Sequence, residues 1–596
     1  MRVATHSMRR RPGILLGAAL VSIGLIAGAC GSDEKSGSDT TTPGEVTTPP
    51  GETTASTEAS GGGETTVETS EPATLPTDAV VETIAPEAED SEPVPGGTLR
   101  YGLEADVDGI NPTTSALSAP GLMMANAVFD TLASVDTEGN AVPNLAESFT
   151  PSADFLSWTV KLRPGIKFHD GTDLNSAAVA KTFETQFNDP LVGLAVKPFY
   201  PPTGAVVIVD DLSLTFNLLE PNAYFPHALT GQLGYVPSPT WLDAAKADPT
   251  LNQAPVGTGP FIYDSRSQDS VTRFVRNPDW WGGEVYLDAI EFYPVPDPDL
   301  RLELLFNDEL DAQQTTDQAS IQQLRDNDSL QNVFDDTGEE SFVMMNSQTA
   351  PFDDLRVRQA LTYATPRQNY IDLIGLGEGR PADQPYTPES KYYNPDVKQE
   401  ADEPDKAVAL AAEYCGEKPE NCADGKINME FQFSGPSVVQ TRIAEILDEG
   451  WSVAFNVTFD ELNQQQHIQQ TALGQYNVNT WRQFGADDPF ADNVWQLCRT
   501  VGGISLNWPR YCDESRDALL LAAQAEPDPA KRIPLYQQVV QNLHDAYTYV
   551  FLTHTIWANS FVEGVHGVCD RMSPDGVLLK CAANGRTWFS SVWMES

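Results

Sequence analysis

The stretch Trp158-Thr159-Val160-Lys161-Leu162-Arg163-Pro164-Gly165-Ile166-Lys167-Phe168-His169-Asp170-Gly171-Thr172 decides how this chain is read. From Ser157 to Arg163 bulky and polar side chains alternate, the period-two pattern of a strand with one buried face. Pro164-Gly165 and Asp170-Gly171 are turn formers that reverse such a strand. Working outward, Thr98 to Leu103 is a β-type run launched from Gly96-Gly97. Val206 to Leu218 alternates around Asp210-Asp211, as a hairpin would. Helical spacing comes later. Val357, Ala360, Leu361 and Ala364 recur at i, i+3, i+4 and i+7, which predicts a helix from Asp354 to Thr365-Pro366. Asp528-Pro529 opens another that runs through Leu543, with Pro534 inside it. Strand-rich and helix-rich stretches alternate irregularly. The fold class is α/β with mixed sheets.

The chain has 596 residues, with 85 Asp and Glu against 36 Lys and Arg, for a net charge of -49. At roughly 100–200 residues per domain, several domains are expected. So acidic a chain excludes nucleic-acid binding, which needs cations against phosphates, and membrane attachment through a basic patch. The apolar run Ile14 to Ala29 is shorter than the roughly 20 residues of a spanning helix, and it follows Arg2, Arg9, Arg10 and Arg11. Residues 1–29 therefore read as a secretory signal. Ala27-Gly28-Ala29-Cys30 resembles a bacterial lipobox, with Ala27 where Leu is usual. It predicts that Cys30 carries lipid and begins the mature chain. Residues 30–95 are dominated by Thr, Glu, Ser, Pro and Gly, too polar to offset the entropy of ordering. They read as a disordered tether with an r.m.s. reach of about 45 Å.

Six further cysteines fall as sequence-local couples: Cys415 with Cys422, Cys498 with Cys512, and Cys569 with Cys581. Among the possible connectivities, local disulfides are expected in an oxidising compartment. No C-x-x-C occurs, and a single histidine, His566, lies near a couple, too few donors for a metal site. The chain has no G-x-S-x-G elbow, no phosphate loop and no H-E-x-x-H motif, so an enzyme is not expected, and no cofactor.

Five blocks resemble one family. They are Gly96-Gly97-Thr98-Leu99-Arg100-Tyr101-Gly102; Val142 to Phe149 leading into Trp158 to Thr172; Pro255 to Phe261 followed by Arg276-Asn277-Pro278-Asp279-Trp280-Trp281-Gly282-Gly283; Pro351 to Leu361; and Gly485-Ala486-Asp487-Asp488-Pro489. In order and spacing they resemble extracellular solute-binding protein family 5, the peptide-, dipeptide- and nickel-type receptors of ABC importers. The resemblance implies a two-lobed, periplasmic-binding-protein-like (Venus-flytrap) fold with two crossing hinge strands and an extra subdomain in the first lobe. Lobe one is expected over residues 96–298, with the subdomain at about 134–254, and again over 552–596. Lobe two is expected over 299–551.

Most motif residues read as scaffold. His169 is expected to be a structural turn histidine, and Trp280-Trp281 to pack within one lobe. Gly257 and Gly259 allow positive φ or close backbone approach. Arg356 and Arg358 point to different helix sides, and one is expected to pair with a local carboxylate. In peptide-binding relatives an aspartate of the fifth block pairs with the peptide's α-ammonium. Asp487 matches that position best and Asp488 is its neighbour alternative, although the block lacks the Pro-Asp-Pro often found there. Trp481, Arg482 and Phe484 precede it in an expected strand end at the cleft: the aromatics as pocket lining, Arg482 as a partner for a carboxylate. Alternation sets Trp481 and Arg482 on opposite strand faces. The seven histidines form no cluster, which favours peptide over nickel. The implied partners are a small solute, an ABC permease and its ATPase subunits. The protein is expected to be an extracytoplasmic monomer that meets the membrane only through its lipid. Opines and oligosaccharides remain other ligands for the same fold, and a tethered sensor or adhesin without transport another use of it.

Overall fold

The computed structural model describes residues 92–595 except 116, 336–338, 377–378 and 486–487. The expected signal, Cys30, almost all of the tether and Asp487 lie outside the described residues. Two seven-stranded mixed sheets organise the molecule. In the first, the order is Leu330–Asp335, Trp557–Val562, Ala312–Thr315, Thr98–Leu103, Ala289–Pro294, Val271–Arg276 and Phe261–Ser267. Thr98–Leu103 pairs in parallel with Ala289–Pro294 and Ala312–Thr315, while the outer pairs are antiparallel. In the second, Arg380–Pro381, Tyr549–His554, Glu339–Met345, Val478–Phe484, Lys426–Ser434 and Cys422–Ala423 lie in that order, and Phe455–Leu462 pairs with Lys426–Ser434. Each sheet carries its own core, the first around Tyr101, Phe292 and Phe589, the second around Leu361, Phe431 and Trp451.

A four-stranded antiparallel sheet, Ala146–Pro151, Ser157–Leu162, Ser213–Asn217 and Val206–Asp210, forms the extra subdomain with its own core around Trp158, Phe216 and Phe225. Trp158, Val160 and Leu162 are buried while Lys161 is exposed, so the alternation of the decisive strand is realised. The hairpin turns at Asp210-Asp211, where Asp210 accepts from the Leu212 N–H.

The chain leaves the first sheet at Asp335, enters the second at Glu339, and returns from His554 to Trp557. The ends of these connections are paired: Trp557 is in register with Asp335, Glu340 with His554, and Thr555 N–H donates to the Glu339 carbonyl at 2.7 Å. The change of sheet therefore lies near 335–339 and 554–557, not at the expected 298–299 and 551–552. The displacement has a simple cause. Ala312–Thr315 is a short run rich in glutamine, yet all four of its residues are buried as a central strand of the first sheet.

Helix Leu355–Ala364 is capped by the Asp354 side chain, which accepts from Arg356 N–H. Arg356 pairs with Asp354, Glu413 and Glu417, whereas Arg358 is buried and donates to the carbonyls of Ala546 and Phe352. Helix Pro529–Ala546 keeps Pro534 within it. Gly257 and Gly259 are required by close approach: a Cβ at Gly257 would sit 2.1 Å from the Val128 carbonyl oxygen, and one at Gly259 2.6 Å from the Val128 carbonyl carbon. His169 bonds through Nε2 to the Gly259 carbonyl at 2.9 Å, and Trp280 and Trp281 both donate to the buried Asp130 carboxylate. Disulfides join Cys415 to Cys422, Cys498 to Cys512 and Cys569 to Cys581. Among the described residues no helix is long and apolar enough to cross a membrane.

Candidate functional site

A cavity of about 1080 Å³ lies between the two large sheets and is closed on one side by the four-stranded subdomain. Glu104, Arg301 and Thr316 reach it from the first sheet's side, Ser341 and Thr480 to Gln483 from the second, Leu191 and Phe199 from the subdomain, and Asn584 and Arg586 from the C-terminal segment. Strand Val478–Phe484 ends at this cavity, so both of its faces contribute there. That is why Trp481 and Arg482 line the same space despite their alternation.

Arg482 is the hub between the two sheets. Its guanidinium meets Glu339 at 2.5 Å and Glu104 at 3.1 Å, donates to the Thr316 hydroxyl at 2.9 Å, and lies 4.9 Å from the centre of the Trp557 ring. Glu104 and Thr316 belong to the first sheet's side, Arg482 and Glu339 to the second, so this cluster spans the two halves. Burial acts against the guanidinium charge, but Glu339 and Glu104 outweigh it and hold Arg482 protonated. Within the protein its carboxylate contacts are thus the side chains of Glu104 and Glu339. Burial pushes Glu339 up to about 7, against the pull of Arg482 and of the Trp557 indole N–H that donates to it at 3.1 Å. Burial, with Asp492 and Glu339 nearby, raises the neighbouring Glu340 well above the usual carboxylate range.

Asp488 lines the cavity, but its carboxylate is occupied. Oδ2 accepts from Arg532 Nη1 at 2.6 Å, while Oδ1 accepts from Arg532 Nη2 at 2.5 Å and from the Phe490 N–H at 3.0 Å. Arg532 has no exposed surface, lies 3.4 Å from the centre of the Tyr224 ring and donates to the Tyr392 hydroxyl. A planar guanidinium gripping both oxygens is the strongest geometry for such a pair. Phe484 closes the strand in register with Glu339. Trp481 stands beside three groups absent from the sequence expectation, with His467 at 5.3 Å and Trp508 at 5.3 Å between ring centres, and Trp495 beyond at 5.2 Å from Trp508. Trp508 lies inside the loop closed by Cys498 and Cys512, so the cysteine couple was the available signal. Nothing local marks Arg532, Glu339 or Glu104. Among the described residues, no three His, Cys, Asp or Glu side chains converge as metal donors.

The profile of the bacterial extracellular solute-binding proteins, family 5 Middle, matches residues 140–504. Di/tripeptide-binding protein 2 of Pseudomonas aeruginosa is 26% identical over 503 residues, covering 80% of this chain and 93% of the relative. The dipeptide-binding protein of Escherichia coli is 26% identical over 492 residues, covering 77% and 89%. Among solved structures, the ABC transporter-associated periplasmic binding protein DppA of Helicobacter pylori, in complex with the peptide STSA, superposes with a TM-score of 0.72 at 21% identity, covering 84% of this chain and 99% of that one. That structural likeness carries the two-lobed fold.

Proposed function

The chain belongs to family 5 of the bacterial extracellular solute-binding proteins, and we propose that it is the extracytoplasmic binding component of an ABC importer. It captures oligopeptides or dipeptides between its lobes and delivers them to the permease. The cavity of about 1080 Å³, walled by both large sheets, carries this reading. Its volume stands at the upper end of the roughly 300–1,000 Å³ of small-molecule sites, which favours peptides longer than two residues. The peptide-binding relatives support the ligand class. A peptide touching both walls binds the closed arrangement better than the open one and shifts the population toward it, which gives the permease a shape to recognise.

On this reading the first lobe holds residues 96 to about 335 with 557–596, and the second holds 339–554. Asp487 is the carboxylate for the peptide's α-ammonium, because the partner of its neighbour Asp488 is already supplied by Arg532. The chain performs no catalysis, acts as a monomer, and is held at the outer face of the membrane by lipid on Cys30. Calorimetry with a mixed peptide library tests the ligand class. Heat and saturable binding are expected. Tight binding of a sugar or a metal complex with no heat from any peptide would overturn it.

A further inference from the structure

One wall of the cavity is built differently from the rest. Trp481 on strand Val478–Phe484, Trp495 at the end of the 3₁₀ turn Pro489–Trp495, and Trp508 in the Cys498–Cys512 loop all line it. Their rings are inclined at 52° and 34° along the chain of contacts, so they form a curved aromatic wall instead of one flat stack. Trp508 is fixed from two directions. Its carbonyl accepts from the Tyr476 hydroxyl at 2.5 Å, and its indole N–H donates to Gln483 Oε1 at 3.3 Å. Across from it, Phe199 and the short helix Gly193–Val196 of the subdomain bring Leu194 and Ala195 against the same cluster.

The charges bordering this wall are already answered within the protein. Arg482 is held by Glu339 and Glu104, and Arg499 faces Glu220 at 3.5 Å and lies 5.4 Å from the centre of the Phe199 ring. His467, packed on Trp481, is buried, and burial drives it down to about 4, so it is neutral at physiological pH. The wall therefore offers the partly exposed rings of Trp481 and Trp495 from the second half of the cleft, faced by Phe199 from the subdomain.

We propose that Trp481 and Trp495 form a subsite that takes an aromatic or bulky apolar side chain of the bound peptide, with Trp508, buried between them, as the residue that positions both rings. The inference rests on the peptide reading above. Aromatic pairs gain from tilted and edge-to-face contacts beyond the area they bury, and inclined indoles present both kinds. Because the Cys498–Cys512 closure and two hydrogen bonds hold Trp508, and Trp508 packs against the rings beside it, little side-chain entropy is lost when a ligand arrives.

The test is calorimetry on the whole protein with Ala-Ala-Ala, Phe-Ala-Ala, Ala-Phe-Ala and Ala-Ala-Phe. At least one phenylalanine peptide is expected to bind about tenfold or more tighter than trialanine, equivalent to ~1.4 kcal/mol. In Trp508→Ala that ratio is expected to collapse to about twofold or less, and in Trp508→Phe most of it is expected to survive. Equal affinities of all four peptides for the unaltered protein overturn the subsite while leaving the peptide reading intact, and this comparison needs no variant to fold. A ratio that persists in Trp508→Ala overturns the role of Trp508. Failure of all four peptides to bind overturns the inference, whereas the peptide reading is overturned only if the mixed library also gives no heat.

Discussion

Arg532→Met would leave the Asp488 carboxylate, whose side chain is only 5% exposed, with a single backbone N–H as partner. The pair it breaks has two short hydrogen bonds, and its arginine is sandwiched against Tyr224 and bonded to Tyr392. Removing one member of such a buried pair costs ~3–5 kcal/mol, because the remaining charge has lost both water and partner. Asp488→Leu should cost a similar amount by stranding the guanidinium. The double variant Asp488→Leu/Arg532→Met strands neither charge. Replacing a buried pair by apolar groups of similar volume is often neutral, so the two losses should fall well short of adding. Urea unfolding followed by circular dichroism, analysed as a double-mutant cycle, should give a coupling of ~2 kcal/mol or more. If each single variant loses less than ~1 kcal/mol and the double is additive, Asp488 is not saturated by Arg532, and the argument that hands the ammonium to Asp487 fails.

Asp487→Ala is expected to weaken peptide binding by ~1–3 kcal/mol, about 5- to 150-fold, as measured by calorimetry, and unchanged affinity would remove Asp487 from the site. Burial raises the pKa of Glu339 from 4.5 to about 7, so the folded chain holds a proton there that the unfolded chain releases. The stability this contributes is complete below about pH 4.5 and lost as pH rises through 7. Glu339→Gln should therefore flatten the fall of the urea midpoint between pH 5 and pH 8, and an unaltered slope would refute the assignment. Gly257→Ala would place a methyl group 2.1 Å from the Val128 carbonyl oxygen and 2.5 Å from Phe129 Cδ1. It should lower stability by ~1–3 kcal/mol in the same unfolding assay, and a neutral effect would contradict the close approach.

Much of the architecture was legible because it was written locally. The alternation of Ser157 to Arg163, the turn at Asp210-Asp211 and the i, i+3, i+4 spacing after Asp354 each depend on residues a few positions apart. So does the pairing of cysteines that are near neighbours in sequence. The sheet border was not legible, because Ala312–Thr315 carries two glutamines and becomes a central strand only through partners at Thr98–Leu103 and Trp557–Val562. The site divides in the same way. The place of Trp481 and Arg482 at a strand end was legible because the strand leading into the fifth block shows in the local sequence. The partners of Arg482 were not, since Glu104 stands 378 positions away in sequence. Nor does the sequence near Asp488, the alternative to Asp487, reveal its partner Arg532, which lies 44 positions further on. Ionic partners distant in sequence leave no period to detect.

Closure around a captured peptide is the claim on which the rest depends, and small-angle scattering of the whole protein tests it most directly. Profiles recorded without ligand and with a saturating tripeptide already seen to bind by calorimetry should differ, with a smaller radius of gyration when the peptide is present. Superimposable profiles under saturation would contradict closure.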